Sequence, residues 1–283
     1  MALRVAVVTD SISDQFFFPL WRHYYGGLFG EQALHVVAYE GGARFADSAL
    51  GGVLRLPAGY EDGLRARVIS NYVAVLLHTH DVVVRVDVDE FLVADPREYP
   101  SLRHLIEASD APLLTARGFD VFQTMAEPPL QPGPVLAQRQ WAYPNSALNK
   151  TCIVRRPRRW DIGFHWCDAV PVFGPLFMLH LKRVDMAAQL RWGAAMIGNI
   201  GDNPRVGHDI HAYYRPDEEA VTRYHLGVSM RPRLKGIEAW YRDRFQQEFE
   251  ASVALNAANE LYMGSFGHEE VLCEIPPAWR GLL

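Results

Sequence analysis

No GxGxxG fingerprint follows the first apolar run of this chain, and no Walker GxxxxGK[ST], HExxH or GxSxG elbow occurs in it. The common dinucleotide-binding, ATPase, zincin and α/β-hydrolase chemistries are thereby disfavoured. Cysteine is scarce. Cys152, Cys167 and Cys273 are odd in number and far apart, which argues against a disulfide framework or a CxxC zinc site and fits a reducing compartment. Excess positive charge is missing too. The net charge of −5 gives no general attraction for nucleic acid or anionic lipid, although local basic patches remain. No window approaches the roughly 20 apolar residues of a membrane span. The first ten residues lack the apolar stretch of a signal peptide and read as a strand. The expectation is a cytoplasmic protein without a nucleic-acid partner, with peripheral contact at the inner face of a membrane left open.

What is present is an apolar run that ends abruptly in carboxylates: Val82-Val83-Val84-Arg85-Val86-Asp87-Val88-Asp89-Glu90-Phe91. A β-branched run this apolar suits a strand covered on both faces, while Asp disfavours strand interiors and needs compensation when buried. Asp87 and Asp89 are therefore expected at the strand's end. At positions i and i+2 of an extended chain they point to the same side and address one hard divalent cation. A solvated turn is the ordinary reading of two such Asp, but the end of a buried strand is where open α/β sheets bind ligands. Glu90 reads as a structural acceptor.

With 283 residues, 49% hydrophobic and 22% charged, the chain suits one large α/β domain or a domain with an appendage. Strand-like and helix-like patterns alternate in the first half, which predicts a mostly parallel sheet flanked by helices. Strands are expected over 4–9, 34–39 and 51–56. An aromatic helix capped by Asp14 should carry Phe16, Leu20, Trp21 and Tyr24. A second helix over 61–78 should bury Leu64, Val68, Tyr72 and Leu76. After Asp110 strands dominate, at 112–116, 151–155 and 176–181, as an antiparallel extension of the sheet. Residues 198–217 read as a mobile loop, between helical patterns at 186–196 and 236–256. The division expected is a domain over 1–197, with halves 1–95 and 96–197, and a loop plus helical C-terminal appendage over 198–283.

Among the histidines, His165 and His180 stand out from His208 and His211. His180 closes an apolar strand and precedes Lys182 and Arg183, an arrangement in which a metal ligand meets cationic phosphate partners. Lys150 and the run Arg155 to Arg159 form a local basic cluster beside Trp160. The stretch 230–235, with Trp240 and Tyr241, fits a membrane surface.

At these residues the chain resembles a metal-dependent glycosyltransferase of the GT-A fold, close to the family 2 type. The resemblance covers roughly residues 1 to 185. It rests on the opening strand with Thr9 and Asp10, the aromatic segment from Phe16 to Gly30, the Asp87-Val88-Asp89-Glu90-Phe91 core, and the Asn149-Lys150, Gly163-Phe164-His165 and Leu179-His180 elements. It implies a GT-A-like (Rossmann-like) mixed sheet and a nucleotide-sugar donor held by Mn²⁺ or Mg²⁺. Asp87 and Asp89 would lie at the metal and ribose, with His180 as a later metal ligand. Lys150 and Lys182 would share the diphosphate charge. Thr9, Asp10 and Glu40 would lie at the nucleobase and ribose, with Arg65 and Asn71 as further members of that pocket, and His165 and Trp166 at the substrate. The acceptor would be a hydroxyl of a glycan, a lipid-linked or a small molecule. A carboxylate must then take the acceptor's proton, and Asp120 is the first choice, Asp168 the second. A haloacid-dehalogenase-type phosphatase also places two Asp after a strand, but Phe91 stands where a Thr or Val normally follows. The alternatives are a metal-dependent nucleotidyltransferase or phosphatase on the same carboxylates, and a non-catalytic saccharide- or protein-binding module using Trp141, Trp160 and Trp166.

Overall fold

The computed structural model describes residues 3–11, 16–39, 49–56, 61–200, 217–241, 254–256, 260–263 and 270–283. Glu40, the Asp14 cap and most of the 198–217 loop lie outside them. The first half follows the alternation written in the sequence. β1 (Val5–Ser11), β2 (Leu34–Tyr39), β3 (Gly52–Leu56) and β4 (Val82–Arg85) are mutually parallel, in the order β4-β1-β2-β3. Both faces of β1, β2 and β4 are covered, which suits their largely apolar runs, while β3 at the edge is half-buried. Val7, Val82 and Val84 pack with Phe17, Trp21, Tyr24 and Tyr25 of α1 (Phe17–Phe29), whereas Ala6, Val8 and Val83 pack with Ala66, Ile69, Val73 and Leu76 of α2 (Asp62–Leu76). Glu61 caps α2 through its carboxylate, which accepts from the Gly63 and Leu64 N–H groups.

The buried stripe of α2 is not the expected one. Leu64 is 41% exposed, and Val68 and Tyr72 are half-buried. A strict four-residue spacing advances roughly 40° per step away from a fixed face of the helix, so only its last member, Leu76, meets the core.

The second half is antiparallel where it meets the first, as the sequence suggests. β8 (Thr151–Val154) pairs antiparallel with β4 and with the long β6 (Leu113–Phe122). On the other side of β6 lies β7 (Trp141–Pro144), also antiparallel. β9 (Phe173–Arg183) runs parallel to β6 and antiparallel to β5 (Glu90–Ala94), so the strand bearing His180 lies against the strand that leaves the carboxylates. The short α3 (Leu102–Ala108) lies between β5 and β6. The whole is a mixed α/β sheet whose parallel block is flanked by helices.

Two parts differ from expectation. β9 begins at Phe173, ahead of the expected start and half-buried there, and β6 continues to Phe122, buried along its whole length. The described C-terminal residues are not a helical appendage. After α4 (Met186–Ile200) and α5 (Glu218–Ser229), β10 (Arg233–Leu234) and β13 (Leu272–Glu274) extend the same sheet through β7, while β11 (Ala254–Asn256) and β12 (Leu261–Met263) form a separate pair. Within 236–256, the described stretches are a 3₁₀ turn at Ile237–Tyr241 and β11. Trp240 and Trp279 enter the core against Phe119 and Phe177, so Trp240 does not face a membrane.

Candidate active site

The carboxylate segment leaves β4 at Arg85, turns at residues 88–89 and re-enters the sheet as β5. Asp87 precedes that turn and Asp89 lies in it, so they address different partners, not the same side of an extended strand. Asp87 Oδ1 accepts from Arg65 of α2 and from Arg85, and its Oδ2 accepts from Lys150 Nζ at 2.8 Å. Burial alone would raise the Asp87 carboxyl, but Arg85, Lys150 and Arg65 hold it well below the usual carboxylate range. Asp10, at the end of β1, accepts from Arg65 Nη2 at 3.0 Å and also from its Nε. Glu90 is the acceptor expected of it: Oε2 takes the Asp87 N–H at 2.9 Å and Oε1 takes Lys150 Nζ at 2.6 Å. Three cations, Arg65, Arg85 and Lys150, thus interlock with Asp10, Asp87 and Glu90 at the carboxyl ends of two adjacent parallel strands. Phe164 closes the lattice from above, with the Arg85 guanidinium 3.0 Å from its ring centroid and that of Arg65 4.7 Å away.

Asp89 lies on the other branch. His180 Nε2 is 3.2 Å from Asp89 Oδ2, and His180 Nδ1 is 2.6 Å from Asp120 Oδ1. Pairing β5 with β9 sets this up, since Glu90 stands opposite His180 in the register. Burial would lower the imidazole's pKa, but the carboxylates of Asp89 and Asp120 raise it to about 10. Asp120 also accepts from Asn145 Nδ2 at 2.7 Å and lies 3.7 Å from Arg183 Nη1. His180 and Arg183 together hold its carboxyl below the usual range against the effect of burial. Arg183 is itself held, donating to the Tyr143 and Tyr224 hydroxyls and lying 4.1 Å over the Tyr224 ring.

The donor chemistry can be tested against a divalent cation. Among the described residues, no group of three or more His, Cys, Asp or Glu is arranged to hold a metal. As it stands the His180 ring holds both protons between Asp89 and Asp120; a cation entering beside Asp89 would have to displace the Nε2 proton, and Nδ1 on Asp120 would then give the carboxylate-backed pattern that orients metal-binding imidazoles. Such a pair suits a cation that completes its shell with substrate phosphates and water. Asp87 does not fit as a third ligand, because its oxygens are taken by two guanidinium groups and an ammonium.

The remaining expected residues divide. Lys182 is buried, its Nζ 5.0 Å from the Trp192 ring centroid, and burial together with Arg183 pushes its ammonium well below the usual lysine range. His165 anchors Nδ1 on the Ala147 carbonyl, and burial, reinforced by Lys150, lowers its pKa to about 3, so the ring is neutral. Thr9 is buried with its hydroxyl on the Asp10 carbonyl at 3.4 Å and stands apart from the ion lattice. Asn71 is exposed, six residues along α2 from Arg65 and therefore on another face, so it does not belong to this pocket. Asp168 accepts a weak contact from Cys167 Sγ at 3.8 Å, and the half-buried Trp166 accepts the Asp161 N–H on its carbonyl; no hydrogen bond or ion pair joins either to Asp89 or His180. Trp160 is buried with its indole N–H on the Thr151 carbonyl, and Trp141 is buried as well, so neither is a surface platform for saccharide. Residues that the sequence reading did not single out are Arg85, Asn145, Tyr143 and Tyr224. Arg85 carried a signal, a single charge inside a run of buried valines, which must find a counter-ion.

No family model matches the chain, and no curated protein matches it. Among solved structures, mannose-1-phosphate geranyltransferase from Thermus thermophilus is similar over 75% of this chain and 67% of its own, at 9% identity and a TM-score of 0.32. A likeness so slight carries nothing about activity.

Proposed function

We propose that the chain is a GT-A-type glycosyltransferase that moves a sugar from a nucleotide-diphosphate donor to a hydroxyl acceptor with the help of Mn²⁺ or Mg²⁺. The observation that carries this reading is the Asp89–His180 pair, backed by Asp120 and set beside an ion lattice at the carboxyl ends of β1 and β4. Ligands of open α/β sheets bind in that crevice. Asp10 and Arg65 take the nucleoside end, where a carboxylate and a guanidinium match the donors and acceptors of a base or ribose. Asp89 and His180 hold the cation, which when bound supplies Lewis-acid stabilisation to the departing diphosphate oxygens. Lys182, two residues along β9 from His180 and on the same side of the strand, shares the charge of that leaving group once the arriving diphosphate restores the proton that burial disfavours.

Asp120 is better suited to orient His180 than to accept a proton. It is buried, it already accepts from two side chains, and its carboxyl is held below the usual range. A base poised for proton transfer needs a pKa near the working pH.

The test is thermal denaturation with nucleoside diphosphates, with and without Mn²⁺. Because two protein ligands leave most of the cation's shell to phosphate oxygens, Mn²⁺ alone should raise Tm little, and Mn²⁺ with the cognate nucleotide should raise it clearly. Asp89→Asn should abolish that increment. Slow donor hydrolysis to nucleoside diphosphate and free sugar supports glycosyl transfer. Release of pyrophosphate or inorganic phosphate instead would assign the carboxylates to nucleotidyl transfer or phosphatase chemistry.

A further inference from the structure

One surface is apolar and cationic together, although the chain as a whole is acidic. Along α5, Glu219, Arg223, Leu226 and Met230 follow at three- and four-residue spacing and share one face. Leu226 is 50% exposed and Met230 78%. Met125, 44% exposed, joins the C-terminal end of the helix, where its N–H donates to Ser229 Oγ at 3.0 Å. The cations gather at the same end. Arg233 is exposed, 5.4 Å over the Trp141 ring, and Lys235 follows in the exposed chain, whereas Arg231, 4.9 Å over the buried Tyr143 ring, turns its Nη1 inward. None of the three is in an ion pair with a described residue. Among the described carboxylates, Glu219 is engaged on Arg223 at 2.7 Å, Glu238 on Arg97 at 2.9 Å, and Glu127 on the Thr124 and Gln140 N–H groups. The opposite face of α5 buries His225 and Val228 and sends Tyr224 to Arg183, so the helix is firmly seated while its outer end stays open.

Exposed methionine and leucine beside unpaired arginine and lysine match a surface that meets acyl chains and anionic headgroups at one depth. We propose that this face docks the protein on an anionic lipid surface, with Met125, Leu226 and Met230 entering the headgroup boundary and Arg233 and Lys235 on the lipid phosphates. The inference does not depend on the reaction proposed above, since vesicle binding is read without donor or acceptor.

The experiment is co-sedimentation of the full chain with vesicles of phosphatidylcholine alone or mixed with phosphatidylglycerol. Binding should require the anionic lipid and should be released by salt, as the screening length shrinks to about 3 Å near 1 M. That arm uses the unaltered protein and so does not depend on any variant folding. Arg233→Gln combined with Lys235→Gln should lower the partition coefficient at least about tenfold, and Met230→Glu should do so too, both with unchanged far-UV circular dichroism. Equal binding to neutral vesicles, or no binding at all, would overturn the proposal. So would self-association lost in the same variants without vesicle binding, which would give the face to a second copy of the chain.

Discussion

Asp87 and Asp89 are two residues apart and have separate duties, and their variants should fail differently. Asp87 faces Arg65, Arg85 and Lys150 in a nearly closed environment. Asp87→Asn leaves three cations against fewer carboxylates, and removing one partner of a buried ion network costs about 3–5 kcal/mol. The urea midpoint should therefore drop sharply whether or not nucleotide is present. Asp89→Asn removes one partner of an imidazole that retains Asp120, so its midpoint should move much less. A variant pair with equal midpoints would mean that the lattice around Asp87 is not structural. A second titration lies outside the site. His35 on β2 is buried, with Nδ1 on the Tyr72 hydroxyl at 3.0 Å and the His80 ring centroid 5.6 Å away. Burial, then His80, lowers its pKa to about 4. The unfolded chain, with His near 6.5, binds this proton more readily than the native one does. Its stabilising effect is thus complete above pH 6.5 and fades as pH falls toward 4, by up to about 3 kcal/mol. Denaturant midpoints of the parent and His35→Gln, followed over that range, should converge as pH falls.

At the scale of elements, the site depends on how closely β6 meets the turn before β8. The Gly118 N–H donates to Asn149 Oδ1 at 2.7 Å, and the Gly118 carbonyl accepts from the Asn145 N–H at 2.9 Å. A Cβ at Gly118 would stand 2.2 Å from Leu148 Cβ and 2.6 Å from the Leu148 carbonyl carbon. Backbone cannot yield cheaply there, so Gly118→Ala should lose about 3 kcal/mol or more. It should also shift Asn145 from Asp120, which Mn²⁺-dependent nucleotide stabilisation would register as a loss beyond the fall in Tm. This close approach was invisible in the sequence, because nothing local to Gly118 announces a neighbour thirty residues on. The parallel block was legible for the opposite reason: strands covered on both faces are apolar without interruption, so β1, β2, β4 and the His180 strand stand out. So was the exit of the carboxylates from β4. Their directions were not, because residues 88–89 turn and the partners that draw Asp87 away, Arg65 and Lys150, are distant in sequence. The short strands β7, β10 and β13 carry too few residues to show a period, and Trp240, read as part of a helical pattern, is held in the core from a 3₁₀ turn.

For the molecule as a whole, the question is whether the C-terminal residues add to a finished domain or complete it. Trp240 stacks on Phe119 with ring centroids 3.9 Å apart and meets Trp279 edge-on at 4.9 Å, while Trp279 packs on Phe177 at 5.5 Å. Phe119 and Phe177 belong to β6 and β9, the strands that carry Asp120 and His180. The Trp279 indole N–H also reaches the Ala94 carbonyl at 3.3 Å, and the Val135 N–H donates to the Leu283 carbonyl at 2.6 Å. A domain ending before α5 would leave this aromatic face and the outer edge of β7 bare. The chain should therefore unfold in one transition, with Trp fluorescence and far-UV circular dichroism coincident. Trp240→Ala should lower that single transition by about 3–5 kcal/mol, the usual cost of emptying a large core site. It should weaken nucleotide binding in parallel, because the strands it supports carry the site. A Trp240→Ala protein that melts in two steps, keeping full nucleotide stabilisation in the later one, would instead make residues 1–197 a domain able to stand alone.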